Sequence, residues 1–176
     1  LALAAKESLE NLIASFIIFF DKPFFTGDTI KVNAITGTVE RIGLRSTRIR
    51  TADKTLVTVP NKQMVDSAVD NWSMRTERRA EIKLELSSGT EEIQLQSLVP
   101  GLKKVIESYG EQVSNHTIFI KDISRDAVII IIEYFTPPVP IKDFFQQKND
   151  IVLQVKKLLE DNKVSFAGDS SNIVIK

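Results

Sequence analysis

Covalent catalysis needs a nucleophile beside a base, a metal cluster or a phosphate cradle, and these 176 residues place none of them by spacing. There is no cysteine. Disulfides, thiolate metal sites and cysteine nucleophiles are therefore absent, which fits a reducing compartment. His116 is the one histidine, so a histidine cluster or a His-containing triad is excluded, and it reads as a surface or strand-end residue. Asp122, Asp126 and Glu133 lack the spacing of an EF-hand loop. Gly27, Gly37 and Gly43 belong to no dinucleotide-binding or P-loop pattern and read as turn or bulge positions. Neither enzymatic activity nor a cofactor or metal is expected. What remains is electrostatic. Arg41, Arg45, Arg48, Arg50 and Lys54 form a local basic run that suits anionic lipid headgroups or RNA. The same run also suits a solvated sheet face offset by Glu40 and Asp53, and Arg75, Arg78 and Arg79 invite the same two readings.

The elements around these residues come from patterning. Hydrophobic residues make up 43% and charged residues 26%, enough for a packed core. Formal net charge is zero, so the global basic balance of a nucleic-acid binder is missing. The chain begins with Leu inside a helical pattern and reads as a piece of something longer. Lys6, Glu7 and Glu10 interrupt the first apolar run, which excludes a signal peptide and an uninterrupted apolar span of about 18 residues. Leu1–Asp21 is expected to be helical, with Leu9, Leu12, Ile13, Phe16 and Phe20 on one apolar face and Lys6, Glu7, Glu10 and Asn11 on the other. Ile17, Ile18 and Phe19 widen the apolar face, so the helix suits burial in a core or a position along a bilayer surface. Pro23 ends it.

Four β-branched runs follow, at 29–32, 37–42, 44–51 and 56–59, bounded by turn formers. They predict a compact barrel-like or sandwich-like module of four to five strands, with a hairpin tip at Ala52-Asp53-Lys54 and Pro60 closing the last strand. From about Arg75 the pattern becomes β-α-β-β-α-β. Strands are expected at 80–86, 117–121 and 127–134, and Val128–Ile132 reads as a central strand buried on both faces. A helix over 91–109 should kink or break at Pro100-Gly101. Asp143–Asn162 is an amphipathic helix, and Asn172–Lys176 a final short strand.

Residues 1–75 combine the helix SLENLIASFIIFFD with Pro23-Phe24 and Gly27-Asp28, Gly37-Thr38-Val39, Thr47 with Arg50-Thr51, and Pro60-Asn61. Over roughly this stretch the chain resembles the small-conductance mechanosensitive channel (MscS) family. It implies an α+β chain in three parts: 1–21 as the end of a pore-lining or interfacial membrane helix, 22–74 as an Sm-like β-barrel domain, and 75–176 as a ferredoxin-like βαββαβ cytoplasmic domain. By the same resemblance Leu3 lines the pore, and the transmembrane helix bends near Glu7, where the best-known member has glycine. Phe16, Phe19 and Phe20 take the membrane interface. The implied protein is a homo-oligomer, a heptamer, in a bacterial-type inner membrane, with most of this chain on the cytoplasmic side. Its partners are its own copies, the lipid bilayer and permeating ions and small solutes, with no nucleic acid. Tension opens such a channel during osmotic downshock. The competing reading is a soluble Sm-like RNA-binding assembly, carried by the β module and the Arg41–Lys54 run. It leaves the apolar helix unexplained and lacks stacking aromatics.

Overall fold

The computed structural model describes residues 2–168, with side chains from Lys6 onward. The chain is α+β and divides into two compact units, Leu1–Arg75 and Thr76–Lys176.

In the first unit a long helix, α1 (Ala2–Asp21), precedes β1 (Thr29–Val32), β2 (Ile35–Ile42), β3 (Ser46–Thr51) and β4 (Leu56–Pro60). A short helix α2 (Asn61–Asp66), β5 (Val69–Asn71) and a 3-10 turn at Trp72–Met74 complete it. The sheet is antiparallel in the order β4-β3-β2-β1-β5. Alternation places Ile30, Val32, Val39, Ile49 and Val59 on one face. There they join Met64 of α2, Phe24, and Ile18 of α1 in a buried cluster. Gly37 lies where β2 meets β3: a Cβ there would come within 2.8 Å of the Arg50 carbonyl carbon. No side chain fits that approach.

Four expectations change here. The sheet is open among the described residues. β4 and β5 are its two edges, and three-residue β5 spends its pairing on β1, so the expected barrel is not closed. Leu44 lies in the turn before β3 and not on a strand. The face of α1 made by Leu9, Leu12, Ile13, Phe16 and Phe20 is exposed, while Asn11, Ala14, Ser15 and Ile18 form the buried edge toward α2. Among the described residues no helix is long and apolar enough to cross a membrane, which corrects the expected transmembrane helix: Lys6, Glu7 and Glu10 break the apolar run of α1.

The second unit runs β6 (Arg78–Ser87), α3 (Glu92–Glu107), β7 (Asn115–Ile123), β8 (Ala127–Thr136) and α4 (Ile141–Asp161). Its sheet is antiparallel in the order β6-β8-β7. β8 is central, as the apolar run at Val128–Ile132 predicts: Ile130 and Ile132 are in the core, and Ile131, on the opposite face, is only 4% exposed. α3 contributes Leu98, Leu102 and Ile106 to that core, and α4 contributes Phe144, Ile151, Val155 and Leu159. α3 runs continuously through Pro100, so of the expected kink or break the break does not occur. The lost backbone bond is outweighed by burial on both sides of it, and Gly101 lets Leu158 of α4 approach closely. Beyond α4 the chain returns along β6, where Ser87 N–H bonds Ser165 O and Ala167 N–H bonds Glu85 O, both at 2.9 Å. The expected strand at Asn172–Lys176 lies outside the described residues.

Candidate functional site

The turn that ends α1 is built around one carboxylate. Asp28 Oδ2 accepts from the Phe25 N–H at 2.9 Å and from Asn71 Nδ2 at 2.8 Å. The same Asn71 amide also reaches the Pro23 carbonyl at 3.2 Å. Gly27, at φ 98°, turns the chain so that its N–H bonds the Val39 carbonyl at 2.8 Å, and Val39 N–H returns to Asp28 O. Phe24 is thereby driven into the core at 2% exposure, while Pro23 and Phe25 stay outside. Thr38, next to Gly37 and Val39 on β2, faces Thr29 across the ladder, hydroxyl to hydroxyl at 3.5 Å.

A second node is Asn61, fully buried. Its side chain donates to Gly43 O at 2.8 Å and accepts from the buried Thr47 hydroxyl at 2.9 Å, while its N–H bonds Arg45 O at 2.9 Å. One amide thus ties the β2–β3 turn to the point where Pro60 hands β4 over to α2. The third motif pair closes the hairpin tip. Arg50 grips Glu40 on β2 at 2.6 Å and the Lys54 carbonyl at 3.0 Å, and the Thr51 and Thr55 hydroxyls meet at 2.7 Å. These residues hold the unit's shape through hydrogen bonds and an ion pair.

The α1–α2 contact joins these nodes to α1. Asn11 Oδ1 accepts from the Lys62 N–H at 3.0 Å and so caps a free donor at the start of α2, while Asn11 Nδ2 bonds Glu7 O. The opposite side of α1 offers Phe16, Phe19 and Phe20, at 53%, 68% and 72% exposure. With Phe25 and Leu44 they border a groove of about 810 Å³ whose edge carries Lys22 and Arg41. Leu3 lies within α1, and its side chain is outside the described ones.

These features correspond to a known domain. Residues 7–74 match the family model described as "Mechanosensitive ion channel, beta-domain". An uncharacterized MscS family protein of Aquifex aeolicus is 32% identical over 99% of this chain and 48% of its own length. The chain belongs to the MscS family. The small-conductance mechanosensitive channel MscMJ of Methanocaldococcus jannaschii is 31% identical over 95% of this chain and 48% of its own. This MscS-family chain therefore spans about half the length of the curated relatives it matches. Two solved structures share its fold. Helicobacter pylori MscS in a closed state is 24% identical with a TM-score of 0.80, covering 99% of this chain and 68% of that one. Arabidopsis thaliana MSL1 is 22% identical with a TM-score of 0.85, covering 93% and 60%.

The motif residues of the MscS-family chain are all placed, and they separate into the Asp28 turn, the Asn61 node and the Arg50 tip. Asn71 and Asn11, central to two of the bonds, escaped the sequence reading. Asn11 was assigned to the polar face. An asparagine three residues before Ala14 and seven before Ile18 was the available signal that the narrow edge, not the broad apolar face, meets protein. Of the basic run, Arg50 is neutralised by Glu40, and no aromatic residue occurs on β2 or β3.

Proposed function

We propose that the protein is a subunit of a mechanosensitive ion channel that membrane tension opens, releasing ions and small solutes on osmotic downshock. The observation that carries this reading is the two-sided character of α1. One edge is bonded into the first unit through Asn11, and the other leaves three phenylalanines exposed. A helix so placed converts a change at the bilayer into a force on the sheet. The curated relatives MscMJ and MscMJLR are named as mechanosensitive channels, and the proposal extends that role to this chain.

In this reading Leu1–Asp21 is the end of a pore-lining helix and its interfacial continuation. Leu3 narrows the pore, and Phe16, Phe19 and Phe20 lie at the membrane interface. Residues 22–74 act as an Sm-like domain and 75–176 as a ferredoxin-like one, both on the cytoplasmic side of a bacterial-type inner membrane. Copies of the chain assemble as a homo-oligomer, a heptamer. Gating needs no ligand: an apolar ring dewets when narrow, and tension favours the state of larger membrane area.

The deciding experiment is a pressure-clamp recording of the full-length protein in a channel-free patch. Stepwise currents under suction are expected. Silence, with the protein verified in the membrane, rules the channel reading out. Leu3→Ser is expected to lower the opening threshold, because a polar side chain wets an apolar constriction. An unchanged threshold removes Leu3 from the pore.

A further inference from the structure

The contact between α1 and α2 has two layers of different chemistry. The inner layer is the bond from the Lys62 N–H to Asn11, whose side chain is 3% exposed. The outer layer is a row of four alternating charges. Lys6 Nζ lies 3.9 Å from Glu10, Glu10 lies 3.3 Å from Lys62 Nζ, and Lys62 Nζ lies 3.5 Å from Asp66. The first and last links are i,i+4 pairs within one helix. Only Glu10–Lys62 crosses from α1 to α2. Glu10, and after it Asp66, holds the Lys62 ammonium above its usual range. All four side chains reach solvent, from 33% exposure at Glu10 to 70% at Lys6.

We propose that this charge row makes the docking of α1 onto α2 a function of ionic strength, firm in dilute electrolyte and looser in concentrated electrolyte. The reason is screening. The Debye length falls from about 10 Å at 0.1 M salt to about 3 Å at 1 M, and exposed pairs weaken accordingly. The buried Asn11 bond is not screened, so salt removes the outer layer and leaves the inner one. Single exposed pairs contribute little, but an alternating network is the case where they add up. The two layers are also separable by mutation, because Asn11 bonds the backbone of residue 62 and ignores its side chain. The consequence for gating rests on the channel reading: dilution of the electrolyte around the first unit tightens its hold on α1 with no bound ligand. The docking effect itself does not depend on conductance.

The test is hydrogen exchange on the full-length protein at about 50 mM and about 500 mM KCl, concentrations between which the Debye length shrinks about threefold. Amides of α3 serve as internal reference. Exchange of α1 amides is expected to quicken about two- to fivefold at the higher salt. Glu10→Gln and Lys62→Gln should exchange quickly at both concentrations, the double variant no faster than either. Lys62→Arg should keep the salt response. Salt-independent exchange in the parent protein, or a salt response that survives Lys62→Gln, overturns the inference. Because exchange reads docking without conductance, a silent patch leaves this inference standing, and salt-independent exchange leaves the channel reading standing.

Discussion

Among the described residues, eight buried apolar side chains form the core of the first unit and sixteen form that of the second. Buried polar residues distribute the other way: Asn11, Ser15, Thr47 and Asn61 lie in the first unit, and Thr136 in the second. The first unit holds a five-stranded sheet, a long helix and a short one with the smaller apolar core. It adds directional bonds, each of which is satisfied in only one arrangement. The second unit relies on packing between two amphipathic helices and a sheet, and there a polar group is a burden. The Tyr134 hydroxyl is buried with no hydrogen-bond partner among the described residues, and burial pushes its pKa up to about 12. The first unit is thus held by a smaller core supplemented with directional bonds, and the second by a larger core.

The contrast is most exposed at Leu102, fully buried between α3 and the sheet. Leu102→Ala should cost about 3–4 kcal/mol. Hydrogen exchange should show the loss in β6, β8 and α4, with β2 and β3 unaffected. Equal loss in both units would merge what the contrast separates. Asn61→Ala should cost about 2–3 kcal/mol, since it strands the Gly43 carbonyl and the Thr47 hydroxyl. Its loss should appear in β3, α2 and the docked part of α1. A cost below that of an ordinary surface change would show that packing, not bonding, holds the first unit.

Tyr134→Phe tests the burden directly, with an expected gain of about 0.5–1 kcal/mol. It also has a pH signature. The folded pKa of Tyr134 lies above the unfolded value near 10, so its contribution is fully present below pH ~10 and is lost as pH rises toward about 12. Denaturant midpoints across that window should fall less in the variant than in the parent protein. An identical fall in both would assign the alkaline loss to other groups. The smallest stability effect is expected at Phe20, 72% exposed. Phe20→Ser should shift stability by less than about 0.5 kcal/mol, yet weaken association with phospholipid vesicles. A large stability loss there would show that α1 uses its phenylalanines for packing within the unit.

Much of this architecture was legible because it is local. Alternation located β1 to β4 and β6 to β8 within a few residues, the apolar run at Val128–Ile132 marked the central strand, and heptad-like spacing marked α4. Short elements were not legible. α2 and β5 together span nine residues and carry too little periodicity to register, although they supply Met64, Lys62 and Asn71. Pro100 misled in the opposite direction, because the tendency of proline to end a helix was overridden by burial of Leu98 and Leu102 on either side. Of the candidate site, the motif residues were legible as types at a spacing, and their partners across the fold were not.

By itself the sequence determined that no nucleophile–base pair or metal cluster is placed by spacing, that an apolar helix runs directly into a β module, and that Gly27, Gly37, Pro60 and Asn61 stand where the backbone turns or crosses. These follow from residue type and short-range spacing, except that Gly37, read as a turn or bulge position, lies inside β2 where the Arg50 backbone approaches closely. Only the tertiary structure decided which edge of α1 is buried, that the sheet is open between β4 and β5, and that Asn11, Asn61 and Asn71 are its pins. An amide side chain looks the same in a sequence whether it faces water or a carbonyl, and the long-range partners of these three lie 14 to 51 residues away. Distances of that length are set by the whole packing and not by any local rule.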